Sequence, residues 1–284
     1  MNQRPKKKLA PNPYTQVRAR NKSHDRAPER PTAREIKYYG TAACLEIWKR
    51  RPADVIRIYI TEERVKQFGP MLKWAAANRK AYHVVEDLDL EKLTEATHHQ
   101  GVCVLAHEKE SVSVVQLKNA LKNTKGPVSI AYLDGVENPH NLGAIVRTCA
   151  HFGVRYVVGE RGRLPAMSPS ACRVAEGGAE HVDLVAVSNR DKDLQQLRDL
   201  GFAIVATAAT GDSLYRHRFA ERTLVVMGAE GSGVSRSLSQ NADVVLAIPG
   251  SGDVESLNVS VAFGVVLSEC RRQQMELSST GKRR

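Results

Sequence analysis

Three short stretches of this chain bring together residue types that suit a ligand better than a solvent-facing loop. The first reads Glu137-Asn138-Pro139-His140-Asn141-Leu142-Gly143-Ala144-Ile145-Val146-Arg147. Asn138 or Asn141 suits the cap of a following helix, because a short amide accepts from an otherwise unpaired helix-start N–H. Arg147 stands on an apolar stretch with Ala144, Ile145, Val146, Cys149 and Ala150. A guanidinium buried there requires an anion, either a protein carboxylate or a substrate phosphate. The second stretch, Met227-Gly228-Ala229-Glu230-Gly231-Ser232-Gly233-Val234, is glycine-rich but in the register G-x-x-G-x-G. A carboxylate in its middle would repel a pyrophosphate, so a dinucleotide site of the G-x-G-x-x-G kind is disfavoured. The third runs Ile248-Pro249-Gly250-Ser251-Gly252-Asp253-Val254-Glu255-Ser256-Leu257-Asn258-Val259-Ser260 into a long apolar helix. Ser256 fits a helix N-cap, and Asn258 is an unusual choice inside a first helical turn.

The elements that must hold these stretches follow from the apolar pattern. From Val128 to about Gln274, near-continuous apolar runs alternate with helical periodicity. Strands are expected at Val128–Leu133, Arg155–Val158, Val182–Val187, Ala203–Thr207, Leu224–Met227 and Val244–Ile248. Helices are expected at Leu142–Phe152, Ser170–Ala175, Asp191–Leu200, Arg236–Gln240 and Leu257–Arg272. This is the signature of a parallel sheet covered on both faces. All three stretches then follow the carboxyl ends of strands, where such sheets bind ligands. Upstream, the order helix (Thr41–Arg50), strand (Val55–Ile60), helix (Gly69–Arg79), strand (Ala81–Val85), helix (Leu88–Ala96), strand (Val102–Ala106) predicts a smaller α/β unit.

Charge distribution narrows the class of partner. The chain of 284 residues carries a net charge of +11. Residues 1–37 hold eleven of the basic residues against Asp25, Glu29 and Glu35, which is +8 of that total. A basic, proline-containing segment with few large apolar residues cannot offset its ordering entropy, so it is expected to be a disordered arm. It would tether the protein electrostatically to a polyanion. The five cysteines are widely spaced with no C-x-x-C pair, which argues against disulfides and structural zinc. No apolar run approaches the ~20 residues of a membrane span, and no apolar stretch follows the basic start. A soluble, cytoplasmic protein with no metal is expected. The resulting division is 1–37 arm, 38–107 first domain, 108–126 linker, 127–275 second domain and 276–284 flexible tail.

Together the three stretches resemble the motifs of the SpoU/TrmH RNA methyltransferases of the SPOUT superfamily, in order and spacing. Asn141 and Arg147 match N-x-x-x-x-x-R, and Gly228, Glu230 and Gly233 match G-x-E-x-x-G. Ile248-Pro249 followed by Ser256–Ser260 matches I-P and S-L-N-V-S. Gly250 departs from the methionine often found there. Residues Tyr39–His107, with Tyr39-Gly40-x-x-Ala43, are similar to the substrate-binding domain many relatives carry. The resemblance implies a trefoil-knotted cofactor site in the parallel sheet, S-adenosylmethionine as cofactor and a homodimer. It also implies methyl transfer to a ribose 2′-hydroxyl of structured RNA, ribosomal in preference to transfer RNA. Asn141, Arg147, Glu230, Ser256 and Asn258 become the expected catalytic set, with Gly228, Ile248 and Leu257 as cofactor contacts. A guanidinium, with a pKa above about 12, is a poor general base. Arg147 is therefore expected to bind phosphate and stabilise alkoxide charge. The alternatives are an inactive RNA-binding protein of the same fold and a SPOUT base methyltransferase. Trp48 and Trp74 are expected in the core, and His98, His99 and His107 in loops or at the surface.

Overall fold

The computed structural model describes residues 34–280, with side chains described to residue 276. Most of the expected arm, residues 1–33, and the last four residues of the expected tail lie outside the described residues. The first unit comprises β1 (Glu35–Tyr39), α1 (Thr41–Arg50), β2 (Val55–Ile60), α2 (Glu62–Val65), α3 (Gly69–Ala77), β3 (Ala81–Val84), α4 (Asp87–Thr94) and β4 (Val102–His107). Its sheet has the order β1-β4-β2-β3, with β4 antiparallel to β1 and β2, and β3 parallel to β2. Strand β1 crosses the boundary drawn at residue 37, so the arm expected to reach Lys37 is ordered from Glu35 onward. One face of this sheet buries Ile36, Tyr38, Ile58, Ile60, Val104 and Ala106 against α1 and α3, and Trp48 and Trp74 pack at its margin.

The expected linker contains a helix, α5 (Val114–Asn123). Ser113 accepts from the Gln116 amide while the Gln116 side chain returns a bond to the Ser113 backbone, a capping box that pairs two helix-start donors. Leu117 and Leu121, one turn apart, are buried, so the segment is part of the second core.

The second unit continues with β5 (Val128–Asp134), α6 (Pro139–Phe152), β6 (Tyr156–Glu160), α7 (Pro169–Val174), β7 (Asp183–Val187), α8 (Arg190–Asp199), β8 (Ala203–Ser213), β9 (Arg222–Gly228), α9 (Arg236–Gln240), β10 (Val244–Ala247) and α10 (Val259–Thr280). All pairings are parallel, in the order β10-β8-β9-β5-β6-β7. Successive strand residues point to opposite faces. Ala131 and Leu133 pack with α6 and α10, while Ile130 and Tyr132 pack with α5 and α8. Both faces are covered, which is why the strands read as apolar runs. Strand β8 runs beyond the expected Thr207, because Asp212 and Ser213 pair with Leu246 and Ala247 after a register shift. Helix α10 starts two residues later than expected and continues past Arg272 into the expected tail.

The two units are docked by buried polar contacts. Arg51 donates to both carboxylate oxygens of Glu180, at 2.8 and 3.1 Å, and its side chain is 11% exposed against 5% for Glu180. Lys109 donates to the Ala179 and Val182 carbonyls and pairs with Asp183 at 2.8 Å. Cys172 of α7 is buried within the first unit's core.

Candidate active site

The three expected loops converge on one hydrogen-bonded cluster. Asn138 is the N-cap of α6, its Oδ1 accepting from the His140 amide at 2.8 Å. That leaves the buried Asn141, one turn on, free to point its amide elsewhere. Asn141 Nδ2 donates to Glu230 Oε1 at 2.9 Å. Asn258 Nδ2 donates to the same oxygen at 2.7 Å and to Asn141 Oδ1 at 3.1 Å. Glu230 Oε2 has no hydrogen-bond partner among the described residues.

Asn258 also fixes the start of α10. Its Oδ1 accepts from the Ser260 amide at 2.9 Å, the Ser260 hydroxyl at 2.6 Å and the Val261 amide at 3.4 Å. The N-cap expected at Ser256 is therefore at Asn258. Two residues upstream, Ser256 is exposed and makes no hydrogen bond among the described residues, so the structure leaves it outside the cluster.

The Glu230 loop is shaped by close backbone approach. A Cβ on Gly228 would lie 1.9 Å from the Gly233 carbonyl carbon and 2.1 Å from the Val234 nitrogen. No side chain fits there, and the Gly233 amide closes the turn on the Ala229 carbonyl at 2.9 Å. Ile248 is half-buried against the α6/α10 core, and Leu257 is 46% exposed. Gly250 faces open space, with nothing within 4 Å of a built Cβ.

Arg147 departs from the expectation of a buried guanidinium in need of an anion. It is exposed and has no ion pair or hydrogen bond among the described residues. Six residues at 3.6 per turn carry it about 240° around α6 from Asn141, so it faces a different cleft.

Asp134, at the carboxyl end of β5, is a buried side chain that the motif reading passed over. Its Oδ2 accepts from the Ser235 amide at 2.7 Å and its Oδ1 from Arg163 at 3.3 Å. It thereby joins the segment after the Glu230 loop to the loop before α7. The available signal was a carboxylate ending an apolar strand.

Asp87, Glu91 and His99 have ligand atoms within 4.8 Å of one another. His99 lies in a loop, as expected, but is 2% exposed, and its Nδ1 accepts from the Gly101 amide at 3.1 Å. That bond puts the ring proton on Nε2, the nitrogen 3.8 Å from Asp87. At that distance Nε2 makes no hydrogen bond among the described residues.

Residues 128–268 match the family described as SpoU rRNA Methylase, and residues 38–112 match the RNA 2′-O ribose methyltransferase substrate-binding domain. A protein of Escherichia coli O157:H7 named as an uncharacterized tRNA/rRNA methyltransferase, YfiF, is 36% identical over 245 residues, covering 86% of this chain and 70% of that one. The 23S rRNA (guanosine-2′-O-)-methyltransferase RlmB of Neisseria meningitidis serogroup B is 34% identical over 231 residues, covering 81% and 91%. The solved structure of an AdoMet-bound rRNA methyltransferase from Sinorhizobium meliloti aligns with a TM-score of 0.67 at 22% identity, over 84% of this chain and 87% of that one.

Proposed function

The chain belongs to the SpoU RNA methylase family, and we propose from that premise that it transfers a methyl group from S-adenosylmethionine to a ribose 2′-hydroxyl of structured RNA. Ribosomal RNA is the favoured substrate over transfer RNA, since the relative matched over 91% of its own length is named for 23S rRNA. The observation that carries this reading is the junction of Asn141, Glu230 and Asn258, one residue from each loop, on a single carboxylate oxygen.

The donor set suits this cofactor. S-adenosylmethionine supplies an electrophilic methyl on a sulfonium and carries no phosphate. The loops accordingly offer close-packed backbone at Gly228, apolar surface at Ile248 and Leu257, and the anchored Glu230 carboxylate, with no cluster of cations for a pyrophosphate. The protein's own task is to place the ribose oxygen in line and receive its proton. Asn141 and Asn258 hold the Glu230 carboxylate in one orientation. Arg147, turned away from Asn141 on α6, binds an RNA phosphate near the target ribose.

A homodimer and a cytoplasmic location complete the reading. Val254 and Val261, 72% and 52% exposed, flank Leu257 at the start of α10, and a second copy would cover this apolar surface. No described helix is long and apolar enough to cross a membrane.

Ribose-methylation mapping of ribosomal and transfer RNA from a strain deleted for this gene tests the assignment. Loss of 2′-O-methylation at a defined ribosomal nucleotide, restored by the wild-type gene and not by Asn141→Ala, is the expected result. An unchanged ribose map with a lost base methylation would refute it.

A further inference from the structure

Between the two units the chain makes a tight turn through two glycines. Gly177 has φ +84, and a Cβ there would lie 2.7 Å from Glu46 Cγ of α1. A Cβ on Gly178 would lie 3.2 Å from the Arg147 Cα of α6. Beside this turn opens a cleft of about 400 Å³, lined by Lys49 and Glu46 from the first unit and by Arg147, His151 and His181 from the second. The Arg51–Glu180 pair and the Lys109 bond to the Ala179 carbonyl hold the same turn.

The cleft's charges are unevenly satisfied. Glu46 is already engaged by Lys49 at 2.8 Å and by His181 Nε2 at 3.1 Å. Arg50 reaches His181 Nδ1 at 3.1 Å. An arginine only donates, so Nδ1 accepts there and Nε2 donates to Glu46, which makes His181 a bridge between α1 residues. Arg147 has no partner among the described residues, and the Lys49 and Arg50 side chains are 56% and 55% exposed. Lys49 and Arg147, one from each domain, thus line one groove with Glu46, already paired, and Glu176, and Arg50 reaches the lining residue His181 from beside it.

We propose that this cleft is a phosphodiester subsite, in which Lys49 and Arg50 of the substrate-binding domain and Arg147 of the methylase domain grip consecutive phosphates of one RNA strand. The inference rests on the RNA reading above and sharpens it. The accessory domain contributes charges directly to the strand held by Arg147, at a spacing set by the domain docking. A guanidinium without an internal partner is free for bidentate phosphate contact. Lys49 and Arg50 exchange their present partners for phosphate without leaving a buried charge behind.

The test uses the full chain, an unmodified 23S rRNA transcript and the Lys49→Ala/Arg50→Ala double variant, with Lys92→Ala as an exposed-cation control on α4. The double variant should raise KM for the transcript about tenfold, with kcat at saturating RNA and KM for S-adenosylmethionine within about twofold of wild type. Its log affinity against log salt should flatten by about 1.5, and Lys49→Arg/Arg50→Lys should restore most of the affinity. A KM and salt slope matching wild type and Lys92→Ala would overturn the proposal. Because filter binding reads affinity without chemistry, weakened binding by the double variant alongside a wild type that transfers no methyl would sink the methylase reading and leave the subsite standing.

Discussion

Asn258 occupies a position where two demands meet. Its oxygen closes the first turn of α10 and its nitrogen anchors Glu230 to Asn141, so the longest helix and the candidate catalytic carboxylate share one side chain. The identity of this residue was legible in the motif spacing. Its capping role was not, because whether a helix starts at Ser256 or Asn258 depends on backbone angles that a run of serine and asparagine permits equally. The exposure of Arg147 was readable in principle, since a separation of six on a helix places two residues on different faces. The apolar neighbours pointed the other way. Arg147→Lys keeps the charge and loses the planar fork, and single-turnover methyl transfer should fall at least tenfold, about 1.4 kcal/mol of transition-state stabilisation; a near-normal rate would remove any specific role for the guanidinium. Gly228→Ala forces the Glu230 loop open, because its Cβ meets the Gly233 backbone. Calorimetric titration should show S-adenosylmethionine affinity reduced by more than tenfold.

At the level of elements, the parallel sheet and most helices were legible because both faces of the sheet are covered and the strands are apolar throughout. Strand β1 was missed because it follows a charged stretch and its pairing partner, β4, lies far along the chain. Pairing of that range leaves no local mark. The helix in the expected linker did leave one, the S-x-x-Q spacing of Ser113 and Gln116. The docking between units rests on residues with no motif at all, and its energetics are testable. Truncating Glu180 to alanine leaves the nearly buried Arg51 with only Asp54 at 3.5 Å and the His107 carbonyl, and chemical denaturation should register a loss of about 3 kcal/mol. Glu46 gives a pH signature. Its hydrogen bond from Lys49, with that from His181, holds its carboxyl below the usual 4.5, against the opposing effect of partial burial. A depressed folded-state pKa stabilises the fold above the unfolded value and loses that contribution as pH falls through the folded one. The urea midpoint of wild type should therefore exceed that of Glu46→Gln at pH 7, by no more than about 1 kcal/mol in stability for so exposed a pair. At pH 3 the gap should narrow, and a gap constant with pH would contradict the assignment.

For the whole molecule, a substrate-binding unit is clamped to a parallel-sheet methylase, with the carboxylate cluster at the strand ends and Arg147 facing the cleft at the domain junction. The knot implied by the family resemblance leaves no mark in periodicity, because apolar pattern reports which residues are buried and not how the chain is threaded. The homodimer is tested by light scattering, which should give twice the 31.3 kDa chain mass, reduced to one chain by Val261→Glu; a wild-type monomer would contradict that part of the account. The central claim is ribose methylation, and the chemistry of the product decides it. Purified protein, tritium-labelled S-adenosylmethionine and unmodified ribosomal RNA should yield label that survives alkaline hydrolysis in a dinucleotide, since a methylated 2′-oxygen cannot attack the adjacent phosphodiester. Label released entirely as mononucleotide, or no label transferred, would contradict it.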